Sequence, residues 1–444
     1  VGVNIDLNED QSTVIRGGLG VFTSRIPFVW PGAALVNNGL TIGGVDEGDI
    51  NNLEFIADPD AQYTNENFTV PSGQVDLFAK DFKYPQLLRG SAALDHALGD
   101  GWNVSVEGIY SKTLNNVKYT SVNSDPTVDF TWTGGPDNRQ VFTDTKIDPT
   151  YSAIYLATNT DEGYAYNLTA QIDKVFDVGL STMLAYTYGD SEALFEGTSS
   201  QNSSQWRGSM SVNGRNNAEV GRSDFAAGHR IISALSYGVD WNEAKNARTT
   251  VSLFINGQSG SPYSYVYGSR DAQNINNEDG STSRNRSLIW IPASMDEINL
   301  IDDGGVTAEE QWAALNTFIE QDDYLSDNRG SYMEKNGAWA PFGGVFDLKV
   351  AQDFGLNAGG QTHKLQVSAD IFNVANLINN EWGVHLSSPR EAAYELINFE
   401  GYEADGTTPQ FTFSEDDLGD DRFSVNDLSS RWRMRLGLRY LFNQ

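Results

Sequence analysis

RWRMRLGLRYLF, residues 431–442, alternates between two kinds of side chain. The apolar positions are Trp432, Met434, Leu436, Leu438, Tyr440 and Phe442, and between them lie Arg431, Arg433, Arg435, Gly437 and Arg439. A β-strand directs neighbouring side chains to opposite faces, so the segment predicts a strand with one apolar face and one face that carries four arginines. A soluble sandwich with its arginines in solvent would show the same pattern, so this segment alone does not separate the two fold classes.

The same alternation recurs along the chain. Near residue 102, for example, Trp102, Val104, Val106 and Tyr110 share one face. Apolar faces often end in aromatic residues, as expected where a lipid-facing band meets the headgroups. We predict eleven strands, at residues 1–7, 12–24, 86–99, 101–119, 163–176, 179–191, 229–241, 248–266, 344–356, 363–377 and 431–442.

The connections between these strands separate a sandwich from a membrane barrel. Short turns at 8–11, 100–101, 177–178, 242–247 and 355–362 alternate with long loops at 25–85, 120–162, 192–228, 267–343 and 378–430. Long loops without structure of their own are uncommon in soluble domains. Short turns at one end and long loops at the other are typical of outer-membrane barrels. The sequence therefore predicts an all-β, antiparallel transmembrane β-barrel with long extracellular loops, located in the bacterial outer membrane.

Composition and charge exclude several classes of protein. The chain has 60 acidic and 29 basic residues and a net charge of −31, so it will not bind nucleic acid non-specifically. It has no cysteine, which excludes disulfides and thiolate metal sites. No run of about 18 apolar residues is present, so no transmembrane helix is predicted.

Counting strands back from the C-terminus gives a further expectation. If the last strand runs towards the periplasm, the eleventh strand from the end begins at the cell surface. Complete barrels start in the periplasm and have an even number of strands as a rule. We therefore expect residues 1–444 to be the C-terminal part of a larger barrel, whose first strands lie outside this sequence.

One long loop contains a helix signal. Thr307 and Glu310 have the spacing of a capping box, and Trp312, Leu315 and Ile319 fall on one helical face. We predict a short helix here, with its apolar stripe packed on neighbouring loops rather than on a ligand.

The chain end resembles an outer-membrane insertion signal, in which a polar residue and a glycine precede alternating aromatic residues. The matching residues are Arg435, Gly437, Tyr440 and Phe442. Two further residues follow the last aromatic, whereas the signal commonly ends on it.

Longer stretches resemble TonB-dependent receptors of the Oar-like branch, whose members begin with a carboxypeptidase-regulatory-like domain. The matching stretches are RGGLGVFTSRIPFVW at 16–30, EGIYSK at 107–112, TSSQNSSQWR at 198–207, SDF at 223–225 with His229 and Arg230, GQSGSPYSY at 257–265 and DIFNV at 370–374. The resemblance implies a barrel of about 22 strands filled by an N-terminal plug. It also implies uptake of a peptide, glycan or metal chelate, driven by the TonB complex through a motif ahead of the plug. We expect the plug, the TonB-binding motif and the first strands to lie outside this sequence.

Charged residues on the polar faces are the first group of candidate site residues. We expect ten of them to line the barrel lumen, where they pair with each other and with the plug, or line the route of the substrate. They are Arg16, Arg89, Glu107, Asp173, Asp347, Lys349, Asp370, Arg433, Arg435 and Arg439.

Aromatic residues in the long loops form the second group. They either form a surface that contacts a sugar or peptide substrate, or pack the loops together. They are Trp206, Tyr263, Tyr265, Tyr267, Trp290, Trp339 and Trp382.

Catalysis and cofactors are not expected. His96, His229, His363 and His385 lie on separate predicted elements, so a shared metal site is not predicted. Acidic clusters lie at 302–303, 322–323, 415–417 and 420–421. They offer oxygen ligands for calcium, but without EF-hand spacing we interpret them as surface charge. Nothing resembles a nucleophile elbow or an acid–base pair.

Three functions remain compatible with the sequence. The first is an energy-coupled importer. The second is a passive porin. The third is a structural or secretion-associated subunit of a larger outer-membrane complex. Expected partners are the TonB complex, outer-membrane lipid and a surface lipoprotein or other subunits.

Overall fold

The computed structural model describes residues 1–39, 55–62, 73–243, 246–269, 275–278, 286–358, 361–388, 392–414 and 423–443. None of the helices in these ranges is long and apolar enough to cross a membrane.

Eleven long strands form one antiparallel sheet in which each strand pairs with the next along the chain. They are β1 (Gly2–Asp6), β2 (Thr13–Thr23), β3 (Gln86–Gly99), β4 (Trp102–Ser121), β5 (Tyr164–Val175), β6 (Leu180–Ala193), β7 (Gly228–Asp240), β8 (Ala247–Gln258), β9 (Gly343–Ala358), β10 (Gln361–Phe372) and β11 (Arg433–Asn443). All eleven predicted strands are confirmed, as are the all-β class and the antiparallel order. Within the described residues, β1 and β11 each pair on one side only.

The short turns have the chemistry that tight hairpins need. Between β3 and β4, Asp100 and Gly101 have φ angles of 48° and 77°. Positive φ at both central residues matches the right-handed twist of the flanking strands, and Asp-Gly is a favoured pair there.

Two predicted strands end earlier than expected. The strand predicted at 248–266 stops at Gln258, and Pro262–Ser269 forms a separate strand in the loop. Gly260 passes so close to Ala340 that a Cβ there would lie 2.6 Å from its carbonyl oxygen, and Pro262 has no N–H to continue the ladder. The strand predicted at 363–377 stops at Phe372, because Asn373 adopts a left-handed conformation with φ of 53°.

The long loops carry much secondary structure of their own. Their helices are α1 (Val29–Val36), α2 (Asn202–Arg207), α3 (Ala308–Gln321), α4 (Asp323–Asp327), α5 (Val374–Ile378) and α6 (Asp427–Ser430), with 3-10 turns at Pro59–Ala61, Arg215–Asn217 and Met295–Glu297. Their strands are Gln74–Phe78, Val128–Thr131, Gln140–Phe142, Ala153–Thr160, Gly221–Arg222, Pro262–Ser269, Trp290–Ile291, Ser331–Tyr332, Ala338–Trp339, Leu386–Ser387, Ala393–Tyr402, Pro409–Thr412 and Ser424–Val425.

The capping box predicted at Thr307 is confirmed. The Thr307 hydroxyl accepts a hydrogen bond from the backbone N–H of Glu310, whose carboxylate accepts one from the N–H of Thr307. The α3 helix then buries Leu315 and Ile319 completely, so its stripe packs on the loops as predicted.

The hydrophobic cores of the chain lie in the loops rather than in the sheet. The large loop core joins the four loops that follow β4, β6, β8 and β10, with Trp132, Met210, Tyr267, Leu315 and Phe411 among its members. The small loop core joins the loops after β2, β4 and β6 with the far end of β4, around Trp30, Tyr119 and Trp206. The loops therefore fold into a packed body at one end of the sheet.

Candidate functional site

The strand register places all ten predicted lumen-lining residues on one face of the sheet, because residues paired across neighbouring strands share a face. Arg16 pairs with Ala93, and Ala93 pairs with Glu107. Among the last three strands of the sheet, Asp370 pairs with both Lys349 and Arg435. Each of the other five residues lies an even number of positions from a polar-face residue of its own strand, and therefore shares that face. They are Arg89, Asp173, Asp347, Arg433 and Arg439.

Two clusters of ion pairs cross this polar face. Arg16 donates to Asp95 at 2.8 Å and contacts Glu107 at 3.4 Å. Asp370 accepts from Lys349 at 2.7 Å and from Arg435 at 3.0 Å. These cations are partly exposed, so each pair contributes about 0–1 kcal/mol to stability and mainly fixes the positions of the charges.

The other five predicted residues lie outside these two clusters. Arg89 donates to Ser111 at 2.9 Å, and Asp173 accepts from Asn103 at 3.0 Å. Asp347 accepts from the backbone N–H of Asn373 at 2.8 Å. The Arg433 guanidinium lies 6.0 Å from the ring of Phe372, and Arg439 lies opposite Gln366 on β10.

The polar face also carries five charged residues that were not among the predicted ones. Asp353 accepts from Lys364 at 2.7 Å, and Asp240 accepts from Arg248 at 3.0 Å. Asp95, the partner of Arg16, was also missed. All five residues follow the same alternation as the predicted ones, which was the signal that could have found them.

The opposite face of the sheet is apolar and exposed. Its large side chains include Ile15, Val106, Leu168, Leu184, Ile231, Val251, Val350, Val367, Leu436 and Leu438, all at least 37% exposed. A soluble protein would cover such a continuous surface, so this face is built to contact lipid.

Aromatic residues border the apolar face at both ends. Near the loops, Tyr110 stacks on Tyr164, and the Tyr186 hydroxyl lies 2.7 Å from Nδ1 of His229. Near the short turns, Trp102 contacts Phe176 and Lys174. Tyr110 lies eight positions after Trp102 on the same strand. The band between these two aromatic girdles is therefore about 26 Å along the strand and about 20 Å across the membrane after tilt.

The proposed insertion signal lies on β11 at the edge of the sheet. Tyr440 and Phe442 belong to the apolar face, where each is 57% exposed, and Arg435 and Gly437 belong to the polar face. The Tyr440 hydroxyl lies 2.5 Å from Nδ1 of His363. The structure thus separates the four residues into a lipid-facing aromatic pair and a polar-facing pair.

The loop aromatics divide into buried and accessible residues. Trp206, Tyr263, Tyr265 and Tyr267 are at most 2% exposed, so their side chains pack the loops and present no surface to a ligand. This corrects the expectation that they contact substrate, and it favours the packing alternative for these four. Sequence alternation did not show it because both faces of the strand Pro262–Ser269 are buried: Ser264 and Val266, which alternate with these tyrosines, are also 0% exposed.

The remaining three loop aromatics reach the surface to different degrees. Trp290 and Trp339 are partly buried, and Trp382 is 54% exposed. Nε1 of Trp290 donates to Glu297 at 3.0 Å, and the Trp339 ring lies 5.0 Å from the Arg222 guanidinium. They lie in different parts of the loop body and do not form one cluster.

A fully buried arginine organises the large loop core. Arg139 donates to the Asp137 carboxylate at 2.7 Å and lies 4.6 Å from the Tyr267 ring and 4.7 Å from the Trp132 ring. Burial and the nearby Asp137 charge raise the pKa of Tyr332 to about 12, and the same causes raise the pKa of Tyr267 well above its ordinary value. Both tyrosines therefore remain neutral donors to Asp137.

In the described part of the chain, the histidines and the acidic pairs do not converge on a common metal site. Nδ1 of His96 lies 2.9 Å from the Thr13 hydroxyl, and the backbone N–H of His385 donates to the Ser430 hydroxyl. Asp302 and Asp322 accept hydrogen bonds from helix backbone N–H groups. No group of three metal-binding side chains occurs among the described residues. The clusters predicted at 415–417 and 420–421 lie outside those residues.

A cavity of about 340 Å³ lies where the two loop cores meet. Phe195 of the small loop core and Met210 of the large loop core both line it. The Glu196 carboxylate accepts from Lys335 at 2.9 Å and from the Ser223 hydroxyl at 2.8 Å. This cavity is not apparent in the sequence, because its walls come from segments that lie far apart in the chain.

Asp224 is the second carboxylate of the cavity. It accepts a hydrogen bond from the side-chain amide of Asn336 at 2.6 Å. Burial, together with the neighbouring charge of Glu196, raises the pKa of Asp224 above its ordinary value. Lys335 and Arg286 line the same cavity, so two acidic and two basic side chains balance there.

Comparison with known proteins bears on the fold. Residues 1–389 match a family described as outer membrane beta barrel domain. Among solved structures, the chain is similar to the outer membrane transporter YddB from Escherichia coli, with 9% identity and a TM-score of 0.44. That match covers all of this chain and 40% of the other, so this chain spans less than half the length of that transporter. No curated protein matches the chain.

Proposed function

Because the chain belongs to the outer membrane beta barrel domain family, it lies in the bacterial outer membrane, and we propose that it forms part of a TonB-dependent importer of a nutrient. In such barrels the short turns face the periplasm and the long loops face the outside. The apolar face then contacts lipid, and the polar face lines the enclosed space. The nutrient is a peptide, a glycan or a metal chelate.

The observation that carries this proposal is the packed body of extracellular loops. The large loop core joins the loops that follow β4, β6, β8 and β10. Because the strands lie in sequence order in the sheet, these loops reach from β4 to β11, across most of the sheet. A passive pore needs an open mouth, whereas a packed loop body with a cavity suits capture of one ligand before transport. This arrangement favours an importer over a porin.

The polar face supports the same proposal. The cluster around Arg16 holds two carboxylates for one cation, and the cluster around Asp370 holds two cations for one carboxylate. Arg433 and Arg439 carry further positive charge into the enclosed space. We propose that these residues contact a plug or line the substrate route. Catalysis and a bound cofactor are not part of the proposal.

We further propose that other strands complete the barrel. Within the described residues, β1 and β11 each have one unpaired edge. An unsatisfied backbone group in hydrocarbon costs several kcal/mol, so both edges need partners in the membrane. We propose that residues 1–444 supply the C-terminal part of the barrel, and that the first strands, plug and TonB-binding motif lie elsewhere in the polypeptide.

Uptake measurements test the proposed function. Cells that carry the intact gene, cells that lack it and cells with inactivated TonB would be given labelled peptides, glycans and metal chelates. We expect uptake of at least one nutrient to be lost in both mutant strains. Uptake that persists without TonB, together with ion conductance of the purified protein in planar bilayers, would support the porin instead.

A structural role is the second alternative. Stable co-purification with other outer-membrane subunits, and no change in uptake of any nutrient after deletion, would favour it. A surface lipoprotein that co-purifies with an active importer would instead be a partner in uptake.

A further inference from the structure

The cavity between the two loop cores has the size of a small-molecule site. Its volume is about 340 Å³, at the lower end of the range of about 300–1,000 Å³ for ligand pockets. It opens among extracellular loops, beside the exposed Thr198. The position and the volume suit a ligand of one or two rings that arrives from outside.

The charges of the cavity favour a ligand without net charge. Glu196 and Lys335 are only 11% and 10% exposed and form an ion pair at 2.9 Å. Asp224 and Arg286 add one charge of each sign. A phosphate or a charged metal chelate would leave part of this balanced set unpaired on burial, which is costly.

The other polar groups of the cavity are neutral donors and acceptors. Ser199, Ser204 and Ser209 bring hydroxyl oxygens, and Gln205 brings a side-chain amide. The hydroxyl groups of Ser204 and Ser209 already donate within the loop, so toward a ligand they act as acceptors. Leu194 and Phe195 supply an apolar wall. A sugar ring has the matching pattern, since its rim carries hydroxyl groups and its faces expose C–H groups.

We propose that this cavity binds one or two units of a neutral saccharide. Glu196 and Asp224 accept hydrogen bonds from sugar hydroxyl groups, Lys335 and Arg286 donate to them, and Phe195 lies against a ring face. This proposal rests on the proposed import function only where it takes the bound saccharide to be the substrate of the importer. Binding itself requires the loop body alone.

Binding to the detergent-solubilised full-length protein tests the proposal. An array of neutral mono- and disaccharides would be followed by isothermal titration, with dialanine and glucose 6-phosphate as comparison ligands. We expect at least one neutral saccharide to bind in a one-to-one complex, and the two comparison ligands to bind at least about tenfold more weakly. No saccharide binding, or tighter binding of either comparison ligand, would overturn the proposal.

Two variants place the binding in this cavity. Thr198→Trp adds a large side chain at its exposed rim and should abolish binding. Asp224→Asn keeps an oxygen for Asn336 and removes one charged acceptor, which should weaken binding about tenfold or more. Ser152→Trp is the matched control, since Ser152 is exposed in another loop and does not line the cavity.

The outcomes separate this site from the import function. Unchanged saccharide binding in folded Thr198→Trp protein would contradict the cavity assignment, whatever the cells transport. Saccharide binding that follows the variants, without any TonB-dependent uptake, would retain the site and contradict the importer. TonB-dependent uptake of a peptide, without saccharide binding, would retain the importer and contradict the saccharide site. Folding of each variant is checked by near-ultraviolet circular dichroism.

Discussion

At the scale of single residues, Arg139 is the group whose loss should matter most to the loop body. It is completely buried and holds the Asp137 carboxylate, which is itself 6% exposed. Arg139→Leu leaves that carboxylate in the core without its cation and should lower the free energy of unfolding of the loop body by about 3–5 kcal/mol. Guanidinium denaturation followed by tryptophan fluorescence measures this, because Trp132 lies against the guanidinium.

The double variant Asp137→Asn/Arg139→Leu is the control for that prediction. It removes both charges, so it should be less destabilised than Arg139→Leu alone. Equal losses in the single and double variants would show that packing of Arg139, rather than its pairing with Asp137, stabilises the core.

The raised pKa of Asp224 leads us to expect that the stability of the loop body depends on pH. Burial first, and the Glu196 charge second, raise its pKa in the folded state. Stability contributed by such a group is present below the unfolded pKa and is lost as the pH rises through the folded pKa. Asp224→Asn should therefore raise the unfolding temperature of the loop body at pH 7 and change it little near pH 3. Thermal scans at the two pH values test this, and an equal shift at both would contradict it.

At the scale of elements, β6 offers two neighbouring residues on opposite faces. Leu184 lies on the apolar face and is 49% exposed, whereas Met183 pairs with Asp173 on the polar face. Leu184→Arg should cost about 2–4 kcal/mol of folding free energy in a bilayer, and Met183→Arg about 0–1 kcal/mol. Folding titrations in lipid vesicles compare the two. Similar costs for both variants would contradict the assignment of the faces.

The N-terminus of α3 gives a second prediction at this scale. Thr307→Ala removes the hydroxyl acceptor of the capping box and should destabilise the helix by about 1 kcal/mol. Hydrogen exchange at residues 308–310 should then become about fivefold faster. Thr307→Ser keeps the acceptor and should exchange like the parent protein. An unchanged rate in the alanine variant would show that packing of Leu315 and Ile319 alone holds this end.

The same elements show how far a sequence can predict this structure. The strands of the sheet were predictable because lipid on one side and polar groups on the other impose a period of two, as at Leu436 and Arg435. The strand ends at Gln258 and Phe372 were not predictable, because the apolar alternation continues past both residues. They depend on Gly260 against Ala340 and on the left-handed Asn373, which no periodic pattern records.

At the scale of the whole molecule, the loops account for most of what the sequence did not predict. Tyr263, Tyr265 and Tyr267 alternate like a half-exposed strand, yet both of their faces are covered by distant segments. The cavity likewise combines Glu196, Asp224 and Lys335 from two loops. The sheet follows a local rule repeated along the chain, whereas the loop body depends on long-range packing of unique segments.

The eight-residue interval between the aromatic girdles has a consequence for the choice of lipid. A hydrophobic belt of about 20 Å is thinner than an average bilayer core of about 30 Å, so long-chain lipids must compress around the protein. Reconstitution should be most efficient in short-chain phosphatidylcholines and should fall as the acyl chains lengthen. Such mismatch would also keep the protein in thin membranes and away from thick ones.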